Sequence, residues 1–407
     1  MERLLKGIRI LDLSRLLPGP FCSMILADLG AEVVKVESCI AGDPARGFPP
    51  HVGRESCYFM SVNRGKKSIA VNLRSESGRE IVRELAQSAD VFLETFRPGR
   101  AQFLGMSYDE IKQVKPDIVY CSLSGYGQDG PLRDRSGHDI NYLALGGMLD
   151  LFRPSGGPPV MPGVQMADIG GGALYAVIGI LAALVERSRS STGTYVDASI
   201  FHGVVASLAF SAATRMSAEV ESERGHPYLG GSFPCYNVYQ TKDGRYMALG
   251  ALESHFWVGF CEAIGREDLI SRQFPDGTER ASVIAEIQRV FFTRSRAEWI
   301  EFFSDRDVCC EPVNTIEEAL EHPQVEHRGT VFEVDHPTAG RLKQIGLPLR
   351  ISRDPSRKVL PPPLLGQHTI EILRSLGYDD VKIEQLVASG VVSVPADTCV
   401  GKTRPPG

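Results

Sequence analysis

The fold is decided by residues 7–37, which read GIRILDLSRLLPGPFCSMILADLGAEVVKVE. The runs Gly7–Leu13 and Ala31–Glu37 have the length and apolar content of buried strands, and Phe21–Leu29 between them predicts a helix. A strand, a helix and a strand in this order indicate a βαβ unit of a parallel sheet. The turn Leu17-Pro18-Gly19-Pro20 lacks the Gly-x-Gly-x-x-Gly pattern, which disfavours dinucleotide binding of the Rossmann type.

The same alternation of strands and helices continues to residue 124. It predicts, in order, the elements Ser68–Leu73, Ser77–Gln87, Asp90–Phe96, Ser107–Lys115 and Asp117–Ser124, with a capping box at Ser107 and Glu110. We therefore expect a parallel sheet covered by helices on both faces. Helices without intervening strands follow at about 138–150, 168–188 and 198–216.

The composition is that of an ordinary soluble globular protein, with 407 residues, 43% hydrophobic and 23% charged, and a net charge of −6. No basic run interleaves with aromatic residues, so we expect no nucleic-acid partner. The nine cysteines form no Cys-x-x-Cys and no metal-ligand spacing, which favours free thiols in a reducing compartment and no metal site. The longest apolar stretch, Ile169–Val185, is shorter than the roughly 20 residues of a membrane span and is expected to form a buried core helix. With no signal-peptide pattern, we expect no membrane partner and a cytoplasmic location in a bacterium, or a mitochondrial or peroxisomal matrix in a eukaryote.

Two residues are candidate catalytic groups. His138 lies in Ser136-Gly137-His138-Asp139 and Asp168 in Ala167-Asp168-Ile169-Gly170, each at the start of an apolar helical stretch. Helix N-termini favour negative charge, so an anionic intermediate is expected to be stabilised there. An imidazole and a carboxyl group on opposite sides of a carbon atom can remove a proton from one face and return it to the other. Taken singly, an Asp at a helix start is more often a capping residue, and a lone histidine more often packs or lies at the surface.

Several motifs along the chain are together highly specific. They are Pro18-Gly19-Pro20, Asp28-Leu29-Gly30-Ala31-Glu32-Val33-Val34-Lys35-Val36-Glu37, Asn63-Arg64-Gly65-Lys66-Lys67-Ser68, Phe96-Arg97-Pro98-Gly99 and Ser124-Gly125-Tyr126-Gly127-Gln128 followed by Gly130-Pro131. With them the sequence resembles the family III CoA transferases (CaiB/BaiF), which include the α-methylacyl-CoA racemases, over nearly its whole length.

The resemblance implies an α/β fold in which a large Rossmann-like domain with a parallel sheet is built from both chain ends, beside a smaller mixed α/β domain. It also implies an interlocked homodimer. Combined with the linkers read from the sequence, the expected boundaries are a first part of the large domain at 1–216, a linker at 217–232, the small domain at 233–313, a linker at 314–330, a return to the large domain at 331–395, and a loose tail at 396–407.

The resemblance further implies that Asp168 is catalytic under either of two mechanisms. The racemases use it with a histidine at the position of His138 as an acid/base pair, and Glu253 matches the glutamate that partners this histidine. Backbone N–H groups near residues 168–171 are expected to stabilise the enolate oxygen. The transferases use the aspartate as a nucleophile, through a mixed anhydride and an aspartyl-CoA thioester.

The leading hypothesis is a cofactor-independent α-methylacyl-CoA racemase that inverts C2 of 2-methyl-branched acyl-CoA thioesters by 1,1-proton transfer through an enolate. His138 and Asp168 are its acid/base pair. The alternative is a CoA transferase that moves CoA from an acyl-CoA to a free carboxylic acid. The stretches 42–59 and 361–369 resemble transferases more closely than racemases. A third class, a protein that binds CoA esters without catalysis, leaves Glu253 and the other two catalytic-type residues unexplained.

CoA is part of the substrate, so the resemblance implies no separate cofactor. By resemblance, Val71, Leu73 and Arg74 match adenine-contacting positions, Arg97 lies near the phosphates, and Tyr142 lies along the pantetheine arm. Two departures stand out: Ser38 stands where an arginine contacts the nucleotide in relatives, and Phe103 replaces another basic position. Candidate replacements for these two are Arg46, Arg64 and Arg100.

Overall fold

The structure is a computed structural model that describes residues 4–152, 157–217, 229–351 and 359–395. The chain forms two compact units, the first made of Met1–Ser207 with Gly329–Gly407 and the second of Leu208–Arg328. Most of the expected linker 217–232 and the whole expected tail 396–407 lie outside the described residues.

The strands of the described residues form four sheets, three in the first unit and one in the second. In chain order the strands are β1 (Arg9–Asp12), β2 (Glu32–Glu37), β3 (His51–Val52), β4 (Glu55–Ser56), β5 (Lys66–Val71), β6 (Val91–Glu94), β7 (Val119–Ser124), β8 (Thr194–Ser199), β9 (Tyr236–Gln240), β10 (Tyr246–Gly250), β11 (Cys310–Pro312), β12 (Val331–His336), β13 (Gly340–Ile345) and β14 (Val392–Ser393). The main sheet of the first unit has the order β14-β5-β2-β1-β6-β7-β8, and β3–β4 and β12–β13 are separate hairpins. All neighbours in the main sheet are parallel except β14, which pairs antiparallel with β5. The expected α/β fold with a sheet built from both chain ends is confirmed.

Helices cover both faces of this sheet. The helices of the chain are α1 (Pro18–Asp28), α2 (Cys57–Ser61), α3 (Glu76–Gln87), α4 (Arg100–Phe103), α5 (Tyr108–Val114), α6 (Asp139–Leu145), α7 (Leu174–Ser190), α8 (Ile200–Ser207), α9 (Ala209–Ser217), α10 (Ser254–Ala263), α11 (Gly277–Phe291), α12 (Arg296–Phe303), α13 (Ile316–Leu320), α14 (Pro323–Arg328), α15 (Thr369–Ser375) and α16 (Asp380–Ala388). Alternate strand residues point to opposite faces, so Ile10 packs in one core with α1 and α7, while Leu11 packs in the other with α3, α5, α15 and α16.

The strand order reverses between β1 and β6. From β1 the chain moves outward on one side to β2 and β5, and it then returns to β6 on the other side of β1 before β7 and β8. In open parallel sheets, ligands bind outside the carboxyl ends of the strands at such a switch point. The loops that follow Asp12 in β1 and Glu94 in β6 begin at this edge.

The second unit has its own core. A sheet of β11-β10-β9 packs with α10, α11 and α12 around buried aromatic residues such as Trp257, Phe291 and Trp299. The segment 314–330, expected to be a linker, carries the two short helices α13 and α14. The first of these begins with a capping box of Thr315 and Glu318, a local signal that stabilises a helix start in a polar segment.

The apolar segment around residues 169–185 differs from its expected role as a buried core helix. It is part of a continuous helix over Ala167–Ser190, which by length and composition alone would suffice to cross a membrane, and 39% of its most apolar 18-residue window is buried. Its exposed residues include Leu174, Ile178 and Val185, which are 43%, 59% and 52% exposed. These residues lie on one face, because Leu174 and Ile178 are about one helical turn apart and Ile178 and Val185 about two.

Candidate active site

Two helix starts meet in the first unit. α6 begins after His138, whose main-chain N–H donates a hydrogen bond to the side-chain oxygen of Asn141 at 3.0 Å. The next residue, Asp139, accepts a hydrogen bond from the main-chain N–H of Asp168 at 2.8 Å. Asp139 therefore joins the segment of exposed His138 to the segment of Asp168, which are distant in sequence.

Asp168 lies in a π-helical turn, Ala167–Ala173, that runs directly into α7. Its side chain is half-buried, and no donor among the described residues gives its carboxylate a hydrogen bond. Burial, followed by repulsion from Asp139, raises the pKa of Asp168 to about 7. Near neutral pH this carboxyl group is therefore present in both its protonated and its ionised form.

Asp139 is a site residue that the sequence reasoning missed, although it directly follows His138. It is half-buried and accepts main-chain hydrogen bonds from Ala167 and Asp168, which oppose the rise in its pKa that burial causes. Because these bonds satisfy the first N–H groups of the helical segment, Asp139 acts as its cap.

The expected use of backbone N–H groups near residues 168–171 for an enolate oxygen is wrong for two of them. The N–H of Asp168 is bonded to Asp139, and the N–H of Ile169 donates to the carbonyl oxygen of Gln165 at 3.0 Å. A group that is already hydrogen-bonded inside a helix start does not serve as a free donor to a ligand.

Glycines bring the Asp168 segment into backbone contact with α8. A Cβ atom on Gly203 would lie 2.5 Å from the carbonyl carbon of Gly171, and one on Gly171 would lie 2.8 Å from the carbonyl oxygen of Ile200. At Gly170, in contrast, a Cβ atom would meet no other described residue within 4 Å. The turn that carries Asp168 is thus packed on one side and open at Gly170, where a substrate can approach the backbone.

Tyr142 packs against the segment that precedes α6. It is buried, and its hydroxyl group donates to the carbonyl oxygen of Gly137 at 2.8 Å. Burial raises the pKa of Tyr142, with the charge of Asp168 adding to this effect and the charge of Arg97 opposing it. Tyr142 is therefore within electrostatic range of one predicted catalytic residue and one predicted phosphate-binding residue.

The predicted CoA-binding residues Val71, Leu73, Arg74 and Arg97 lie at or after the carboxyl ends of β5 and β6. Val71 is fully buried, whereas Leu73 is half-buried and Arg74 is exposed. Arg97 is also exposed, in a loop whose N–H at Phe96 donates to the carboxylate of Glu94 at 2.5 Å. Because β5 and β6 run in the same direction, these residues share one edge of the sheet.

Two of the three arginines considered as replacements for nucleotide contacts are already engaged. Arg46 pairs with Glu37 at 2.7 Å, and Arg64 is 2% exposed and pairs with Asp28 at 2.7 Å. Removing a side chain from a buried ion pair leaves the other charge uncompensated. Arg46 and Arg64 are therefore not available to a ligand, whereas Arg100 is exposed.

Glu253 belongs to the second unit. It is exposed and directly precedes α10, in a loop whose carbonyl oxygen at Leu252 accepts a hydrogen bond from the side-chain amide of Gln273 at 2.8 Å. Burial raises the pKa of the Cys309 thiol, and the negative charges of Asp307 and Glu253 add to this effect. Within this unit Glu253 thus lies near a half-exposed cysteine.

The class of protein follows from comparison with known families. The sequence profile of CoA-transferase family III matches residues 5–369. The chain therefore belongs to CoA-transferase family III. Among solved structures, it is similar to a CAIB/BAIF family protein from Brucella suis, with a TM-score of 0.81 and 29% sequence identity, covering 92% of this chain and 100% of that one.

Relatives of two kinds match over nearly the whole chain. Human succinyl-CoA:glutarate CoA-transferase is 39% identical over 395 residues, which cover 95% of this chain and 90% of that protein. Mouse alpha-methylacyl-CoA racemase is 36% identical over 391 residues, which cover 95% of this chain and 97% of that protein. The protein is therefore an enzyme of this family, similar to both its transferases and its racemases.

Proposed function

We propose that this protein is a CoA transferase that moves CoA from an acyl-CoA to a free carboxylic acid, with Asp168 as the nucleophile. The observation that carries the proposal is a half-buried carboxyl group, without a hydrogen-bond donor among the described residues, beside the open backbone at Gly170. The higher identity to the human transferase than to the mouse racemase supports it and favours dicarboxylic acids as substrates. The racemase, our leading expectation from the sequence, becomes the second candidate.

The proposed transfer consists of four displacements. The ionised carboxylate of Asp168 attacks the thioester carbonyl, the C–S bond breaks, and CoA leaves as a thiolate, which gives a mixed anhydride of Asp168 and the first acid. The thiolate then attacks the Asp168 carbonyl carbon of the anhydride, and the first acid leaves as a carboxylate, which gives an aspartyl-CoA thioester. The incoming carboxylate and the released thiolate repeat these two steps in reverse and restore ionised Asp168. The cycle neither takes up nor releases a proton, and it needs no cofactor besides the CoA of the substrate.

The environment of Asp168 suits this role. A nucleophilic carboxylate reacts through its ionised form, and a hydrogen-bond donor would stabilise that form and lower its reactivity. With a pKa of about 7, the reactive fraction of Asp168 rises as the pH increases through 7 and is nearly complete above pH 8. We expect kcat/KM for the transfer to follow this curve, because kcat/KM reports the pKa values of the free enzyme.

The test is incubation of the purified protein with succinyl-CoA and glutarate. We expect glutaryl-CoA by chromatography, and a protein species heavier by covalently bound CoA in intact-mass spectra recorded during turnover. Asp168→Asn removes the nucleophile and should lower the rate on the order of 10⁴-fold or more and abolish the adduct. Asp129→Asn is the matched control, because it makes the same change at an exposed aspartate of the same unit and leaves the nucleophile in place. An unchanged rate in Asp168→Asn contradicts the proposal.

The second candidate function is racemisation of 2-methylacyl-CoA thioesters. It is favoured by the hydrogen bond that links the residue after His138 to the N–H of Asp168, and by a carboxyl group that adopts both protonation states near neutral pH. In this function His138 and Asp168 exchange the α-proton. Incubation with (2R)-2-methylacyl-CoA in D₂O should then place deuterium at C2 with loss of optical purity.

His138 separates the two candidates. If the protein is a transferase, His138→Ala should retain most of the transfer activity, because no proton moves in the four displacements. If it is a racemase, the same change should abolish deuterium exchange at C2. Transfer of CoA in the absence of exchange excludes racemisation, and exchange in the absence of transfer excludes the first proposal.

We also propose that the protein is a homodimer, as expected from the resemblance. The exposed apolar face of α7 at Leu174, Ile178 and Val185 supports this, since such a face is typically covered by a partner. Ile178→Glu should weaken the dimer, which light scattering with size-exclusion chromatography detects as a shift toward monomer. A monomeric wild-type protein contradicts the proposal.

A further inference from the structure

The loop Ser14–Leu17 leaves β1 at the point where the strand order of the sheet reverses. The main-chain N–H of Arg15 donates to the side-chain hydroxyl oxygen of Thr95, which follows β6, at 3.2 Å. The loops after β1 and β6 are therefore joined at the edge where an open parallel sheet binds its ligands.

This loop contains a residue in an unusual backbone conformation. Leu16 has a φ angle of +66°, in the left-handed region that residues with a bulky side chain rarely adopt. Its N–H donates to the two carboxylate oxygens of Asp43 at 3.0 and 3.2 Å. Strained backbone of this kind persists only when its surroundings hold it, and it is concentrated at functional sites.

A buried ion pair holds the loop from inside the protein. The Lys35 ammonium lies 3.0 Å from the carboxylate of Asp43, and the two side chains are 0% and 1% exposed. The same ammonium group donates to the carbonyl oxygen of Ser14 at 2.7 Å. Lys35 and Asp43 thus fix the main chain on both sides of Arg15.

The side chain of Arg15, in contrast, is exposed and unengaged. No carboxylate among the described residues lies within ion-pair distance of its guanidinium group, although Arg46 and Arg64 in the same unit are paired with buried carboxylates. Arg97, in the loop after β6, is likewise exposed and without an ion pair to any described residue. Two free cations therefore lie on the two loops that flank the switch point.

We propose that Arg15, together with Arg97, binds a phosphate group of the CoA ester, and that the Lys35–Asp43 pair positions Arg15 by holding Leu16 in its strained conformation. A guanidinium group offers paired N–H donors that match phosphate oxygens. A loop fixed in advance loses less conformational entropy on binding than a mobile one. The inference rests on the proposed function only in taking a CoA ester as the ligand, and it holds for a transferase and a racemase alike.

The first test measures binding of CoA, and of pantetheine, which has no phosphate, by isothermal titration calorimetry. Arg15→Gln should weaken CoA binding about 10-fold or more, the typical effect of one lost charge-assisted hydrogen bond, and leave pantetheine binding unchanged. Arg189→Gln is the matched control. This exposed arginine lies at the end of α7, just before β8 begins, and therefore at the edge formed by the amino ends of the strands, away from the ligand-binding edge. Equal CoA affinity of Arg15→Gln and wild type, or an equal loss for CoA and pantetheine, would overturn the assignment.

The second test asks whether Asp43 acts through Arg15. If it does, Asp43→Asn weakens CoA binding in the wild-type background and has no further effect in the Arg15→Gln background. Thr95→Val, which removes the acceptor of the Arg15 N–H, should give the same pattern and serves where Asp43→Asn does not fold. Additive losses would overturn the positioning role. Binding is measured without turnover, so the two proposals fail separately. A protein that binds CoA but transfers none refutes the proposed transferase. The role of Arg15 is then still decided by the ratio of the CoA affinities of wild type and Arg15→Gln.

Discussion

Replacing Asp168 by asparagine should abolish activity and yet stabilise the protein at alkaline pH. The pKa of this carboxyl group is raised from 3.8 to about 7, first by burial and then by the charge of Asp139. The folded state therefore binds the proton more tightly than the unfolded state, so its stability falls as the pH rises from 3.8 to 7 and is constant above that range. The asparagine side chain, which is uncharged at every pH, does not have this penalty.

The magnitude follows from the shift in pKa. Each pKa unit corresponds to about 1.36 kcal/mol, so a rise from 3.8 to about 7 sets an upper limit of about 4 kcal/mol at pH 8. Asp168 is only half-buried, and solvent screening reduces the expected gain to about 1–2 kcal/mol. In a chain of 407 residues such a gain raises the melting temperature by roughly 1–2 °C.

Thermal unfolding followed by circular dichroism at pH 4.5 and pH 8.5 measures this effect. The melting temperature of Asp168→Asn should exceed that of the wild type at pH 8.5, and the difference should be much smaller at pH 4.5. Asp129→Asn, a change at an exposed aspartate of the same unit, serves as the control and should show no such pH dependence. A difference that is equal at the two pH values, or a less stable variant at pH 8.5, would refute the reasoning.

Three further changes test other parts of the structure. Gly203→Ala forces a Cβ atom to within 2.6 Å of the Cα atom of Gly171, so it should lower the free energy of unfolding by about 1–3 kcal/mol in urea titrations and reduce activity by displacing the turn of Asp168. Glu94→Gln should stabilise the protein above pH 7 but not at pH 4, because burial raises the pKa of Glu94 to about 7, and differential scanning fluorimetry over this pH range measures the change. Lys35→Met leaves Asp43 buried without its partner and should destabilise the protein by about 3–5 kcal/mol in the same urea titrations.

Local patterns predicted five strands of the main sheet well. They missed β8 (Thr194–Ser199), in a region where helices without intervening strands were expected, and they predicted the exposure of one helix poorly. The βαβ unit of residues 7–37 forms as expected, because strand length, helix length and turn residues are properties of neighbouring positions. The capping box of Ser107 and Glu110 is also confirmed. The stretch Ile169–Val185 was expected to be buried but is exposed along one face, since hydrophobicity identifies an apolar helix without specifying which neighbours cover it.

The candidate site shows the same division. Motifs in the sequence indicated the family and singled out Asp168, because glycine, proline and charged residues at fixed spacing record local backbone and chemical requirements. They missed Asp139 and the Lys35–Asp43 pair, whose contacts join segments that are separate along the chain.

The sequence by itself determined the parallel α/β architecture, the membership in CoA-transferase family III and the candidate nucleophile. Only the tertiary structure decided that Asp168 has a pKa of about 7, that Arg46 and Arg64 are engaged, and that Arg15 is free on a strained loop. The physical reason is that protonation and ion pairing depend on burial and on the distances between charges, and both are set by packing between elements that are far apart in the chain.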